Sequence, residues 1–170
     1  MVFEVLELKD RVGSEIRTDA ASLLTTEVAG KVRRLLVERG VLVFKQLMLT
    51  TEQQLTLSRL MGSLREEGQQ GLLKITLDKK INARADYLKG SFLWHIDGTH
   101  DDVPPFASLL TGVTLSDTGG QTEFANTYAA YEELPQETKD RIAGLKVVHG
   151  FETSMRRAGV EPTEDTLDYW

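Results

Sequence analysis

The sequence predicts an α+β, mainly β fold: a cupin-like jelly roll, or double-stranded β-helix, with flanking helices. Short apolar runs of strand length recur over residues 3–8, 41–44, 72–77, 106–115, 121–125 and 146–151. Helical periodicity is confined to an early part of the chain and to the stretch after Gly119-Gly120. The order of these patterns matches neither a βαβ repeat nor a helical bundle.

Composition narrows the function classes. The chain has 170 residues, 41% hydrophobic and 27% charged, as expected of one globular domain with a core of its own. We read residues 1–170 as a single domain. The net charge is −6, and no Lys/Arg cluster is interleaved with aromatics. Nucleic acid and anionic membranes are therefore not expected partners. Cysteine is absent, which excludes disulfides, thiolate nucleophiles and cysteine-ligated zinc or iron–sulfur centres. A reducing cytoplasm suits such a chain. The first residues, Met1-Val2-Phe3-Glu4-Val5-Leu6-Glu7-Leu8, lack the basic start of a signal peptide, and no apolar run reaches membrane-spanning length.

In chain order, residues 3–8 read as a strand, Gly13 as a turn and residues 14–16 as a second extended piece. Thr25 or Thr26 can cap the helix that follows. Glu27 suits its first turn, and Val28, Val32, Leu35 and Leu36 form its apolar stripe. Gly40 ends that helix, and residues 41–44 are expected as a buried central strand. Thr50 with Gln53 forms a capping box for the next helix, with Leu57, Leu60, Met61 and Leu64 as its buried face. Residues 65–71 are expected as a loop, 72–77 as a strand, and the charged residues 78–90 as a binding loop. After Pro104-Pro105 come a β-rich run and the turn at Asp117-Thr118-Gly119-Gly120, then a strand over 121–125. Asn126 or Thr127 starts one helix and Pro135 another, before a final strand over 146–151 and a polar tail.

The chemistry concentrates in Phe92-Leu93-Trp94-His95-Ile96-Asp97-Gly98-Thr99-His100. In a strand, residues i and i+2 share a face. His95 and Asp97 then project together, with Trp94 and Ile96 turned into packing on the other side. An imidazole and a carboxylate on one face offer a divalent metal two donors, two thirds of a 2-His-1-carboxylate triad. Alone, His-x-Asp also fits an edge-strand histidine beside a solvated aspartate.

Several ordered motifs accompany it. They are Val12-Gly13-Ser14-Glu15-Ile16, Gly40-Val41-Leu42-Val43-Phe44, Leu49-Thr50-Thr51-Glu52-Gln53, Pro104-Pro105, Gly119-Gly120-Gln121-Thr122-Glu123-Phe124-Ala125 and Ala129-Ala130-Tyr131-Glu132. With these the chain resembles the taurine dioxygenase-like family of Fe(II)- and 2-oxoglutarate-dependent oxygenases over nearly its whole length. The resemblance implies that His95 and Asp97 ligate Fe(II) and that the Thr122 hydroxyl meets a carboxylate of 2-oxoglutarate. Without it, Thr122 is equally an ordinary strand threonine. Ser91, Gly98, Thr99 and His100 are expected to border the substrate. The implied reaction hydroxylates a small organic acid (a sulfonate, sulfate ester or aryloxyacetate) with O2, releasing succinate and CO2. Relatives are commonly homo-oligomers.

The family's second metal histidine and its 2-oxoglutarate-binding arginine lie farther downstream than this sequence extends. The resemblance therefore covers the N-terminal part of the family's domain, with the last strands of the jelly roll missing. His149, followed by Arg156 and Arg157, falls in a register where relatives have no ligand, so a packing or substrate-side role is expected for it. Two other readings stay open: an inactive or split fragment acting as a binding module, and a cupin-type metalloenzyme with other chemistry.

Overall fold

The computed structural model describes residues 3–66, 71–82, 85–99, 101–164 and 167. The chain separates into two compact units, residues 1–65 with 109–144, and residues 66–108 with 145–170.

The first unit begins with a three-stranded sheet in the order β1-β2-β3. β1 (Glu4–Glu7) turns back through Gly13, where the Leu8 N–H donates to the Gly13 carbonyl at 3.0 Å. β2 (Ser14–Arg17) pairs with it antiparallel, Val5 opposite Ile16. Asp19 caps a single turn, α1 (Ala20–Leu23), by accepting from the Ser22 N–H at 2.8 Å. Thr25 caps α2 (Thr26–Arg39), its hydroxyl accepting from Val28 N–H, and Gly40 closes the helix by donating to Leu36 O at 2.8 Å. That helix returns the chain to β3 (Leu42–Val43), parallel to β2 with Glu15 opposite Val43. The expected central strand is thus an edge strand among the described residues, and its side chains are only half-buried. Its apolar run reflects packing on the helices, since Leu42 and Phe44 lie against the core.

α3 (Thr51–Met61) carries both hydrogen bonds of the Thr50/Gln53 capping box, at 3.2 and 2.9 Å. It ends at Met61, so Leu64 falls outside it. The core is Leu23, Val28, Ala29, Val32, Leu57 and Met61. Leu109 packs against it, and Gln54 donates to the Leu109 carbonyl at 3.0 Å. The later segment adds α5 (Thr127–Glu132), capped by Asn126, and α6 (Gln136–Ile142), entered through Pro135. Asn126 also donates to the Arg11 carbonyl at 2.6 Å, and the Arg11 guanidinium bridges Glu132 and Glu133.

Glu15 is buried to 6% exposure on the central strand, paired with Lys45 at 2.6 Å and Arg17 at 2.9 Å. Hydrogen bonds from Lys45 and then Arg17 hold its carboxyl below the usual carboxylate value of 4.5. A depressed carboxylate stabilises the fold above the unfolded-state value and loses that contribution as pH falls through the folded one. The thermal midpoint of Glu15→Gln should therefore lie below wild type near neutrality, and the gap should close as pH falls below about 4.5. A gap that stays constant from pH 7 to pH 3 would count against the pairing.

The second unit contains α4 (Ala85–Leu88), a 3₁₀ turn over Lys89–Phe92 and α7 (Phe151–Arg157), which lies against that turn. The 78–90 stretch is thus partly helical, and its start is a tight turn in which Asp78 accepts from Lys80 N–H at 2.8 Å.

The expected strands over 72–77, 106–115, 121–125 and 146–151, and the one expected to carry His95 and Asp97, form no sheet ladder among the described residues. A strand is a pairing, and an alternating run without a partner keeps only its extended tendency. Trp94 and Ile96 were expected in packing, yet they are 70% and 65% exposed.

Candidate metal site

His95 and Asp97 come together without the strand that was expected to align them. His95 lies in irregular backbone, and Asp97 opens a turn closed by the Asp101 N–H donating to the Gly98 carbonyl at 3.0 Å. His95 Nε2 stands 3.4 Å from Asp97 Oδ1. Both side chains are about half exposed (48% and 58%), so a ligand can reach the space between them.

The far side of each residue is engaged. His95 Nδ1 lies 2.7 Å from the Leu93 carbonyl oxygen. A carbonyl oxygen only accepts, so Nδ1 carries a hydrogen, and in the neutral ring the Nε2 lone pair faces Asp97. Asp97 Oδ2 accepts from the Ser108 hydroxyl at 2.8 Å. In that form the near atoms are two acceptors facing each other, an arrangement that a proton or a metal cation between them satisfies. Two metal bonds of about 2.1 Å meeting at 90–110° place their donors about 3.0–3.4 Å apart. The pair fits a divalent cation on this ground. Among the described residues no third His, Asp, Glu or Cys completes a metal-binding group, His149 included.

Gly98 holds the turn. Its φ is +65°, and a Cβ there would sit 2.4 Å from Pro105 Cδ and 3.0 Å from Asp101 Oδ2. The role expected for it beside the substrate is therefore joined by a backbone one. Thr99 continues the turn and is half-buried, while His100 lies outside the described residues. Ser91 lies within the 3₁₀ turn, and its hydroxyl donates to Leu88 O at 2.6 Å. Thr122 is exposed on irregular backbone after the left-handed pair Gly119 and Gly120, within the first unit, whereas His95 and Asp97 belong to the second. Arg156 is held by Glu152 at 2.7 Å and Glu161 at 3.0 Å.

Sequence reasoning missed Ser108, the Leu93 carbonyl and the Pro105 contact. Pro104-Pro105 gave the available signal, since a reversal there can return a nearby hydroxyl to the carboxylate.

The family described as taurine catabolism dioxygenase TauD, TfdA family matches residues 4–168. The chain belongs to this family. It is 30% identical over 168 residues to an alpha-ketoglutarate-dependent 2,4-dichlorophenoxyacetate dioxygenase of Cupriavidus pinatubonensis, covering 86% of this chain and 53% of that protein. It is also 30% identical over 172 residues to an alkylsulfatase of Acinetobacter baylyi, covering 95% of this chain and 52% of that one. The chain thus spans about half the length of these curated relatives. The crystal structure of AAD-2 in complex with Mn(II) and N-oxalylglycine superposes with a TM-score of 0.78 at 25% identity, covering all of this chain and 64% of that one. The TauD/TfdA chain described here shares that fold, although the paired part of its sheet comprises three strands among the described residues. No helix among the described residues is long and apolar enough to cross a membrane.

Proposed function

We propose that this TauD/TfdA protein is an Fe(II)- and 2-oxoglutarate-dependent dioxygenase that hydroxylates a small organic acid of the sulfonate, sulfate ester or aryloxyacetate class. The observation that carries the reading is the facing of His95 Nε2 and Asp97 Oδ1 at 3.4 Å, with both outer atoms already hydrogen-bonded. Family membership supports it, as do relatives named for alpha-ketoglutarate-dependent action on 2,4-dichlorophenoxyacetate and on sulfate esters.

His95 and Asp97 would hold the iron. Bound Fe(II) with 2-oxoglutarate supplies dioxygen activation, in which R–H, O2 and 2-oxoglutarate become R–OH, succinate and CO2. Imidazole and carboxylate together place one negative charge against the metal's two, leaving net attraction for an anionic cosubstrate. The Thr122 hydroxyl serves as donor to a 2-oxoglutarate carboxylate. Gly98 and Thr99, with His100 and Ser91, border the substrate. In this reading residues 1–170 belong to one jelly-roll oxygenase domain that works in the cytoplasm as a homo-oligomer. Exposed Phe106, Val113 and Leu115 then meet further strands or subunits.

Anaerobic titration of the protein with Fe(II) and 2-oxoglutarate should develop the weak visible charge-transfer band of the chelate. Admitting O2 with a panel of organic acids should then give succinate. Metal binding without the band or succinate would favour other cupin-type chemistry, and no metal binding at all would leave a binding module.

A further inference from the structure

We infer that Ser108 is a positioning residue that aims the Asp97 carboxylate at the metal. The inference rests on the assignment of His95 and Asp97 as a metal pair. Its starting point is a division of labour on the carboxylate. Oδ2 accepts from the Ser108 hydroxyl at 2.8 Å, and Oδ1 faces His95 Nε2 at 3.4 Å. An aspartate with one oxygen held has lost the freedom to rotate the other away, so the donor atom is set before the metal arrives. The imidazole shows the matching device, with Nδ1 engaged on the Leu93 carbonyl.

Ser108 reaches Asp97 across eleven positions of sequence because the intervening loop folds back on itself. Gly98 and Pro105 meet inside that loop so closely that a Cβ on Gly98 would overlap the Pro105 ring. The Asp101 N–H to Gly98 carbonyl bond closes the turn beneath them. A serine suits the position. Its hydroxyl can donate to Oδ2 without adding a charge, whereas a lysine or arginine would compete with the cation for the carboxylate.

The test is Mn(II) binding, followed by electron paramagnetic resonance of the free ion, in the intact protein. Ser108→Ala should weaken binding about tenfold, the lower end of what outer hydrogen-bond partners of metal ligands contribute. Ser108→Thr, which keeps the hydroxyl, should restore most of the loss. In an Asp97→Ala background, Ser108→Ala should have no further effect, because its only route to the metal is gone. The apo-protein's thermal midpoint should not separate Ser108→Ala from Ser108→Thr. A Ser108→Ala protein that binds Mn(II) within twofold of wild type, while His95→Ala abolishes binding, overturns the positioning role and leaves the metal pair standing. An equal loss from Ser108→Ala with and without Asp97 also overturns it. Failure of the wild type to bind Mn(II), or binding unchanged by His95→Ala, overturns the pair and the positioning role together.

Discussion

Alanine at His95 or at Asp97 should lower Fe(II)- and 2-oxoglutarate-dependent succinate formation more than about a hundredfold. Loss of an outer hydrogen-bond partner of a metal ligand alone costs 10–100-fold, and these substitutions remove a proposed ligand itself. Each change leaves one of the two facing donors, so the remaining residue cannot chelate. The double variant should be little worse than either single one, because residues that act as a unit lose their function together. Both side chains are about half exposed and neither belongs to the core, so thermal stability should stay within about 0.5 kcal/mol of wild type. Succinate release and bound iron, measured on the same preparations beside a thermal melt, check the expectation. A His95→Ala protein that keeps its iron and its turnover within fivefold would exclude the assigned role.

Gly98→Ala should disturb the same site from the backbone. The substitution meets two conflicts at once, a φ of +65° and a Cβ 2.4 Å from Pro105 Cδ. A proline ring has no rotamer through which to withdraw. Left-handed backbone and overpacking together cost about 3 kcal/mol. The loop is largely exposed, so the strain is relieved by opening the turn rather than by unfolding the protein. Mn(II) affinity should fall, by up to about a hundredfold at 1.4 kcal/mol per decade, while the melting midpoint barely moves. Gly119→Ala is the comparison: φ is +73° there, but no atom lies within 4 Å of the added Cβ. Only the backbone cost of about 1–2 kcal/mol applies, and metal binding should be spared. Equal Mn(II) affinity in Gly98→Ala and wild type would show that the turn does not set the site.

Apart from α1, which was not foreseen, the helices of the first unit were legible because their signals are local. Thr25, the Thr50/Gln53 box and Gly40 act within a turn or so of themselves, and each makes the expected bond. The facing of His95 and Asp97 was legible for a similar reason, since two residues of extended chain suffice to set two side chains side by side. The strand offered as its cause is absent among the described residues, so the right juxtaposition came with the wrong element. Ser108 was not legible, because its contact with Asp97 depends on how the intervening loop turns at Gly98 and Pro105. Residues 106–115 have strand composition, but composition does not name a partner. α7 was missed because its apolar start, Phe151, continues the preceding β-like run.

The first unit draws its residues from two stretches of chain, and this bears on synthesis. When Arg65 leaves the ribosome, the helices α2 and α3 can already meet around Val28 and Leu57. Leu109, which packs on that cluster, follows more than forty residues later. At 5–20 residues per second the wait is about two to nine seconds. During it, the surface awaiting Leu109 and the Gln54 amide that will bond its carbonyl stay in water or on a chaperone. The Arg11 turn waits longer still for Asn126 and α5. The nascent chain is thus held in a half-assembled state for a time set by translation speed rather than by its own folding rate.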